Sequence, residues 1–370
     1  MKPSELKDLR IAIVGGGYGG AAAAKALQNI GAENVHVYEQ ATKLTQIGAG
    51  IGLRPASMDL FRQWGIFDTI AAVSTPSDQL NILSADGKTV IAQEPWPGLN
   101  DYEVKTHCHL IHRGDFIDAL LSTLPEGMVH IDHKLVKIED KGNEAELTFE
   151  NGNVVTADVV IGADGIRSTV RKQLFTDAEP VFSGEHAYRA VISMDDSLGL
   201  APDNNPRFYM GDDGTVAYNL PLRTRNELSY DITAKSDDAS WAPDVTIDDI
   251  VATIEGFEER IVEIAKNLDI TKVTSRAVFD IDPVDTWHSD CVALLGDSAH
   301  AMLHHQGQGA NSAIQDAGGL ADAFANEATV AEALAAYQAE RKPITDHLQK
   351  ISRQGWAAHS VESAFPGQDK

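Results

Sequence analysis

Gly15-x-Gly17-x-x-Gly20, with Glu39 nineteen residues past the last glycine, is the set of residues in this chain whose types and spacing suit a nucleotide diphosphate. Gly15 permits a tight turn, Gly17 lets the backbone approach a pyrophosphate, and Gly20 allows a helix to close onto a strand. A helix opening here turns unpaired N–H groups and its positive dipole end toward the phosphates. Glu39, with Gln40 beside it, stands where a carboxylate accepts hydrogen bonds from an adenosine ribose. The pattern predicts a bound dinucleotide without choosing between FAD and NAD. A ligand-free glycine turn is the structural alternative.

A second group lies far along the chain. Asp297 follows an apolar run and can meet a ligand at a strand end or cap a short helix. Gln306-Gly307-Gln308-Gly309-Ala310-Asn311 leads into a helix whose first N–H groups suit a negatively charged partner, or simply start a helix. His304 and His305 precede it. An unperturbed imidazole titrates near pH ~6.5, so either can move a proton at neutral pH. Loop shape alone is the other reading.

The elements that must position these residues are legible in part. Ile11–Val14 reads as a buried strand, residues 21–30 as an alanine-rich helix and residues 35–39 as a second strand, together a βαβ unit. Residues 291–295 form another buried strand and residues 310–325 another helix. Between them, over residues 187–236, short alternating runs separated by Asp, Asn, Gly and Pro predict an antiparallel sheet. The expected fold class is α/β, a Rossmann-like domain discontinuous in sequence with an inserted, mostly antiparallel sheet.

Thirty basic against 55 acidic side chains give a net charge of −25 and a pI near 4.7. That balance repels phosphate backbones and anionic lipid, so neither nucleic acid nor membrane is an expected partner. Cys108 and Cys291 are too few and too far apart for a disulfide scaffold, though a single bridge stays open. With no leader-like segment at the start, the expected location is the cytoplasm. His107, Cys108, His109 and His112 invite a metal reading, but alternation along a strand splits them between faces, and no metal is expected.

Three stretches carry a family resemblance. Asp158-Val-Val-Ile-Gly-Ala-Asp164-Gly165-Ile-Arg167-Ser168-Thr-Val-Arg171 resembles the DG motif of class A flavoprotein monooxygenases, and Gly296-Asp297-Ser-Ala-His300 resembles their GD motif. With the first glycine motif they stand in the family order, in a pattern similar to the salicylate and hydroxynicotinate hydroxylase branch. The resemblance implies a p-hydroxybenzoate hydroxylase-like fold, FAD, NADH or NADPH as a transient reductant, and O2 adding to reduced flavin to give a C4a-hydroperoxide that an electron-rich ring attacks. It assigns Asp297 to a ribityl hydroxyl, residues 307–311 to the reduced flavin edge, and Asp164 and Gly165 to the pyrophosphate and nicotinamide path. Arg113, in His112-Arg113-Gly114-Asp115, matches a family arginine near the flavin.

The chain departs from the family where Ala301 and His304 replace prolines of an HPMxP-like run, which sets two imidazoles beside the flavin. Gly52 stands where hydroxynicotinate hydroxylases carry a histidine, which weakens a pyridine-type substrate. Arg54 nearby can reach cofactor or a substrate carboxylate, or lie at the surface. Arg189 and Tyr218, with Tyr188, sit on the expected sheet; an arginine and a tyrosine suit a ring carboxylate and hydroxyl. The expected catalytic residues are His305, His304 and Tyr218, and the expected substrate contacts Arg189, Tyr218 and His305. The expected domains are residues 1–75, 105–180 and 279–370 for FAD, and 76–104 and 181–278 for substrate. The expected enzyme is an NAD(P)H:O2 monooxygenase, monomer or homodimer, hydroxylating a small phenolic or hydroxy-N-heteroaromatic ring. A related dehydrogenase, reductase or halogenase, and a non-catalytic flavin-binding sensor, are the alternatives.

Overall fold

Ile11–Val14 is apolar and buried throughout, so both its faces need covering and both its edges need pairing. It pairs in parallel with Val35–Tyr38 on one side and Val159–Gly162 on the other. Val292–Leu294 and Val129–His130 complete a five-stranded parallel sheet. This computed structural model describes residues 3–43, 48–96 and 107–355. The expected domain boundary at 104–105 lies outside the described residues.

The helix Tyr18–Asn29 packs a face of Ala21–Ala24, Ala26 and Leu27, none accessible to water, between this sheet and the long helix Gly309–Asn326. Alanine is used here because closely approaching backbones leave room for a methyl group only. Trp287, Tyr337 and Phe324 fill the larger spaces on the other side of the same core.

The second sheet has seven strands in the order Thr274–Asp280, Val181–Ser193, Glu227–Lys235, Val216–Leu222, Arg207–Met210, Gln79–Ser84 and Val90–Pro95. All neighbours are antiparallel except Arg207–Met210 with Gln79–Ser84. The sheet therefore exceeds the expected stretch of 187–236, taking in strands from much earlier and later in the chain.

Its two faces differ because side chains alternate along a strand. Tyr188, Leu228, Tyr230, Ile232 and Ala234 pack on the helices Ile247–Thr253 and Glu259–Lys266. Arg189, Tyr218, Leu220 and Asp231 turn to the other face, which lines a cavity. Tyr188 thus belongs to core packing and is removed from the substrate candidates.

A small antiparallel sheet of Gly50–Leu53, Cys108–His112 and Ser74–Ser77 stands between the two larger ones. It gives the histidines of the 107–112 cluster partners within the protein. His109 bonds Ser74 Oγ at 2.7 Å, His107 pairs with Asp78, and His112 accepts from the N–H of Gly114 as the N-cap of the helix Arg113–Ser122. Among the described residues no group of side chains is arranged to hold a metal, and no helix is long and apolar enough to cross a membrane. Both cysteines are buried and free, so no bridge joins them.

Candidate active site

The glycine motif divides its labour as its spacing predicts. A Cβ on Gly20 would stand 1.9 Å from the Gly15 carbonyl oxygen, and one on Gly15 2.3 Å from that of Ala163. Gly15 also has φ +108, a conformation side chains resist. These two glycines serve strand, turn and helix packing. At Gly17 a Cβ would meet nothing within 4 Å, and Gly17 borders the cavity. The open side of the turn is the one a pyrophosphate would occupy. Glu39 accepts from the N–H groups of Gly16 and Ala41, at 2.7 and 2.8 Å, which fixes its carboxylate beside the turn with lone pairs to spare for ribose hydroxyls. Gln40 is exposed next to it.

Asp297 opens the short helix Asp297–His300, set there by Gly296 at φ +66. It borders the cavity, and water reaches it through that opening although protein encloses it elsewhere. Enclosure raises its carboxyl above the ordinary range; His300 and Arg113 oppose this and Asp316 adds to it. Behind it, Asp316 accepts from Arg341 Nε at 2.9 Å and from the N–H of Gly296 at 3.2 Å, and lies 2.6 Å from His300 Nε2, all fully or nearly fully buried. Sequence reasoning missed this network. Its signal is an acidic and a basic residue on the inward stripes of two alanine-rich helices.

Two expected cofactor contacts need correction at the side-chain level. Asp164 accepts from Ser168 Oγ and from the N–H groups of Thr169 and Val170, so its carboxylate caps the helix Thr169–Leu174 while Gly165, at φ +78, borders the cavity. Asn311 is completely buried. Its Oδ1 accepts from the Arg54 N–H and Ser57 Oγ, and its Nδ2 donates to the carbonyls of Gly52 and Gly307, which engages every donor and acceptor of the amide. Asn311 ties two loops together and leaves only its backbone N–H, with those of Gly309 and Ala310, at the helix start.

One cavity of about 940 Å³ joins these parts. It runs from Gly17 past Arg113, Gly165, Asp297 and the loop Gly307–Ala310 to Arg189, Tyr218, Asp231, His304 and His305 on the sheet side. Arg113 lies over the Tyr18 ring, 5.3 Å from its centre. Enclosure pushes the Tyr18 hydroxyl up to about 12 despite Arg113. Arg54 sits 4.5 Å above the Trp96 ring and donates to the Gln306 carbonyl; enclosure pulls its guanidinium down to about 10. At Gly52 a Cβ would lie at ordinary contact distance from Trp96, 3.6 Å, and from Cys108, 3.7 Å.

The two histidines separate. His304 bonds Thr233 Oγ1 at 2.8 Å, and enclosure, Arg189 and His305 hold it well below the ordinary imidazole range, so it is neutral. His305 is 3 % exposed, with Nδ1 2.9 Å from the Ser352 carbonyl and Nε2 2.8 Å from Glu185. Both its ring nitrogens face protein acceptors, so the ring ties the loop to the strand Val181–Ser193 and the helix Val330–Ser352, a structural role set beside the expected proton shuttle. On the sheet, Arg189 hydrogen-bonds Tyr218 and approaches Asp231 at 3.5 Å. Asp231 was missed in the sequence, although an aspartate in mid-strand is itself a signal.

The comparisons with known proteins agree with this geometry. The family model described as an FAD binding domain matches residues 8–352. The 6-hydroxynicotinate 3-monooxygenase of Pseudomonas fluorescens is 33% identical over 363 residues, covering 93% of this chain and 90% of that protein. The salicylate hydroxylase of Pseudomonas putida is 29% identical, covering 95% and 86%. The fold matches that of Klebsiella pneumoniae HpxO complexed with FAD and uric acid, with a TM-score of 0.85 at 21% identity over 98% of this chain and 90% of that one. An open glycine turn, a strand-end aspartate and a helix start on one cavity fit FAD, and the chain belongs to the FAD-binding-domain family as a class A flavin-dependent aromatic monooxygenase.

Proposed function

We propose that this enzyme inserts one atom of O2 into a small electron-rich ring, phenolic or hydroxy-N-heteroaromatic and carboxylated in some substrates, with NADH or NADPH as reductant. The observation that carries the reading is the continuity of one cavity from the open side of Gly17 to the polar sheet face at Arg189 and Tyr218. The two curated relatives act, by their names, on rings that carry a hydroxyl and a carboxylate.

Bound FAD supplies the two-electron carrier between nicotinamide and O2. The residues around it have separate tasks. Gly17 and the N–H groups near it receive phosphate, Asp297 accepts a hydroxyl of the sugar chain, and the helix start at Gly309–Ala310 favours negative charge on the ring system. On the substrate side, Arg189 holds a carboxylate and Tyr218 a hydroxyl. The neutral imidazole of His304, paired with Thr233, orients a ring hydroxyl by hydrogen bonding rather than by taking a charge. Trp96, Leu220 and Met302 add apolar surface to the cavity against which a ring can pack. In this reading the described residues 76–96 and 181–278 belong to the substrate domain, and two buried free cysteines favour the cytoplasm.

The test is a panel of 6-hydroxynicotinate, salicylate, hydroxybenzoates, hydroxypyridines and hydroxyquinolines added to the FAD-loaded protein. At least one ring should accelerate NAD(P)H oxidation about tenfold or more, a gain of about 1.4 kcal/mol in the barrier. A yellow protein indifferent to all of them contradicts the reading.

A further inference from the structure

Asp231 sits in the middle of a strand with 2 % of its side chain exposed, behind a guanidinium that is 33 % exposed to the cavity. Ser229 Oγ donates to its Oδ2 at 2.7 Å, and Ser229 in turn accepts from the N–H of Gly50 at 2.8 Å. Its other oxygen, Oδ1, has no hydrogen-bond donor among the described residues and faces only Arg189 Nε, at 3.5 Å. Tyr218 Oη completes the group on the cavity side of Arg189. A buried carboxylate in contact with a single cation makes that cation half of a neutral pair. A ring carboxylate arriving at Arg189 would then leave a net buried negative charge, which a low-dielectric site resists.

We propose that Asp231 is a positioning residue that couples recognition of a ring carboxylate by Arg189 to uptake of one proton at Asp231, whereas a neutral ring binds without it. This deepens the proposed function and rests on its assignment of Arg189 to the substrate. The proton goes from solvent to Oδ1, the oxygen without a donor, and no bond between heavy atoms changes.

Asp231 is the carboxyl that faces Arg189, while Asp297, also raised by enclosure, lines the part of the cavity assigned to the cofactor. Enclosure pushes its carboxyl up to about 6, against the pull of Arg189 and Ser229. Arg189 is held above its ordinary value, so it stays charged. Tyr218, beside it on the next strand, and Tyr18, across the cavity on the helix Tyr18–Asn29, are both raised and stay neutral. His304 stays neutral, and Lys272 and Arg276 line the cavity from the far strand edge. His305 with Glu185 is the remaining pair nearby.

The experiment titrates the oxidised FAD-loaded enzyme with benzoate and with benzamide from pH 5.5 to 8, following the flavin spectrum. Benzoate stays an anion throughout and benzamide stays neutral. Above the carboxyl midpoint each pH unit weakens a proton-coupled ligand by up to about tenfold, so the benzoate Kd should rise at least about tenfold across the range while that of benzamide moves less than about twofold. In Asp231→Asn, benzoate should bind at its tight, low-pH value at every pH. Equal slopes for the two ligands in the unaltered enzyme overturn the proposal without any variant. A benzoate slope that persists in Asp231→Asn assigns the proton elsewhere, to His305 first, and overturns it too. If neither benzoate, benzamide nor phenol perturbs the flavin at any pH, the ring-binding reading itself fails, and this coupling with it.

Discussion

Asn311 accepts the backbone N–H of Arg54 at 2.7 Å, so the first turn of the helix Gly309–Asn326 is bolted to the loop that follows the strand Gly50–Leu53. Both segments line the cavity, and the same amide grips both Gly52 and Gly307. Removing it in Asn311→Leu leaves two carbonyls and two donors without partners in a dry place. Each such loss costs about 1–3 kcal/mol, and relaxation recovers part of it. The variant should melt several degrees lower and bind FAD at least about tenfold more weakly, measured by thermal unfolding of the FAD-free protein and by flavin fluorescence titration.

Gly17 and Gly20 should separate folding from cofactor binding. Gly20→Ala forces a methyl group onto a backbone oxygen and should destabilise the fold by about 2 kcal/mol or more. Gly17→Ala meets open space at an ordinary φ of −72 and should leave unfolding of the FAD-free protein unchanged. Its methyl group occupies the place kept for a pyrophosphate, so FAD affinity should fall at least about tenfold. Equal melting losses for the two variants would remove the distinction.

Asp297 carries a raised pKa, and the sign of its effect on stability follows. The folded FAD-free chain holds the proton more tightly than the unfolded one, so ionisation costs stability as pH rises from the ordinary carboxyl value through the folded one. The cost grows as pH rises above the ordinary carboxyl value and is lessened by the water that reaches the cavity. Asp297→Asn should therefore raise the melting temperature of the FAD-free protein at pH 7 and not at pH 3, while weakening FAD binding. A lower melting temperature at both pH values would contradict this.

His305 and Glu185 should behave as one unit. His305→Ala and Glu185→Ala each break the tie to the sheet, and the double variant should lose less than the sum, with a coupling of about 1–2 kcal/mol in thermal unfolding. Turnover should drop alongside stability. A fall in kcat with a shifted pH profile and unchanged melting would instead restore the proton-transfer role.

The parts of this molecule set by near neighbours were readable from its residues. The turn at Gly15, the helix after it and the strand before Asp297 depend on contacts within one βαβ unit, and the sequence places each of them within a few residues. The substrate sheet was readable as a sheet but not in extent, because Gln79–Ser84 joins it through a parallel pairing with Arg207–Met210, far along the chain. Register across such distances decides which residues share a face. That is why Arg189 and Tyr218 could be named while Asp231, which lies opposite both in the strand pairing, was passed over. The two neighbouring histidines show the same limit: their closeness to the helix start is local, but the partners that neutralise one and fasten the other are Thr233, Glu185 and Ser352.

Isotopically labelled O2 tests the central claim most directly. With the ring that most accelerates NAD(P)H oxidation, mass spectrometry of the product should show one labelled oxygen atom on the ring, with water as the unlabelled control. NAD(P)H oxidation accompanied by an altered ring that carries no label would make the protein a dehydrogenase or reductase on the same scaffold and contradict the account.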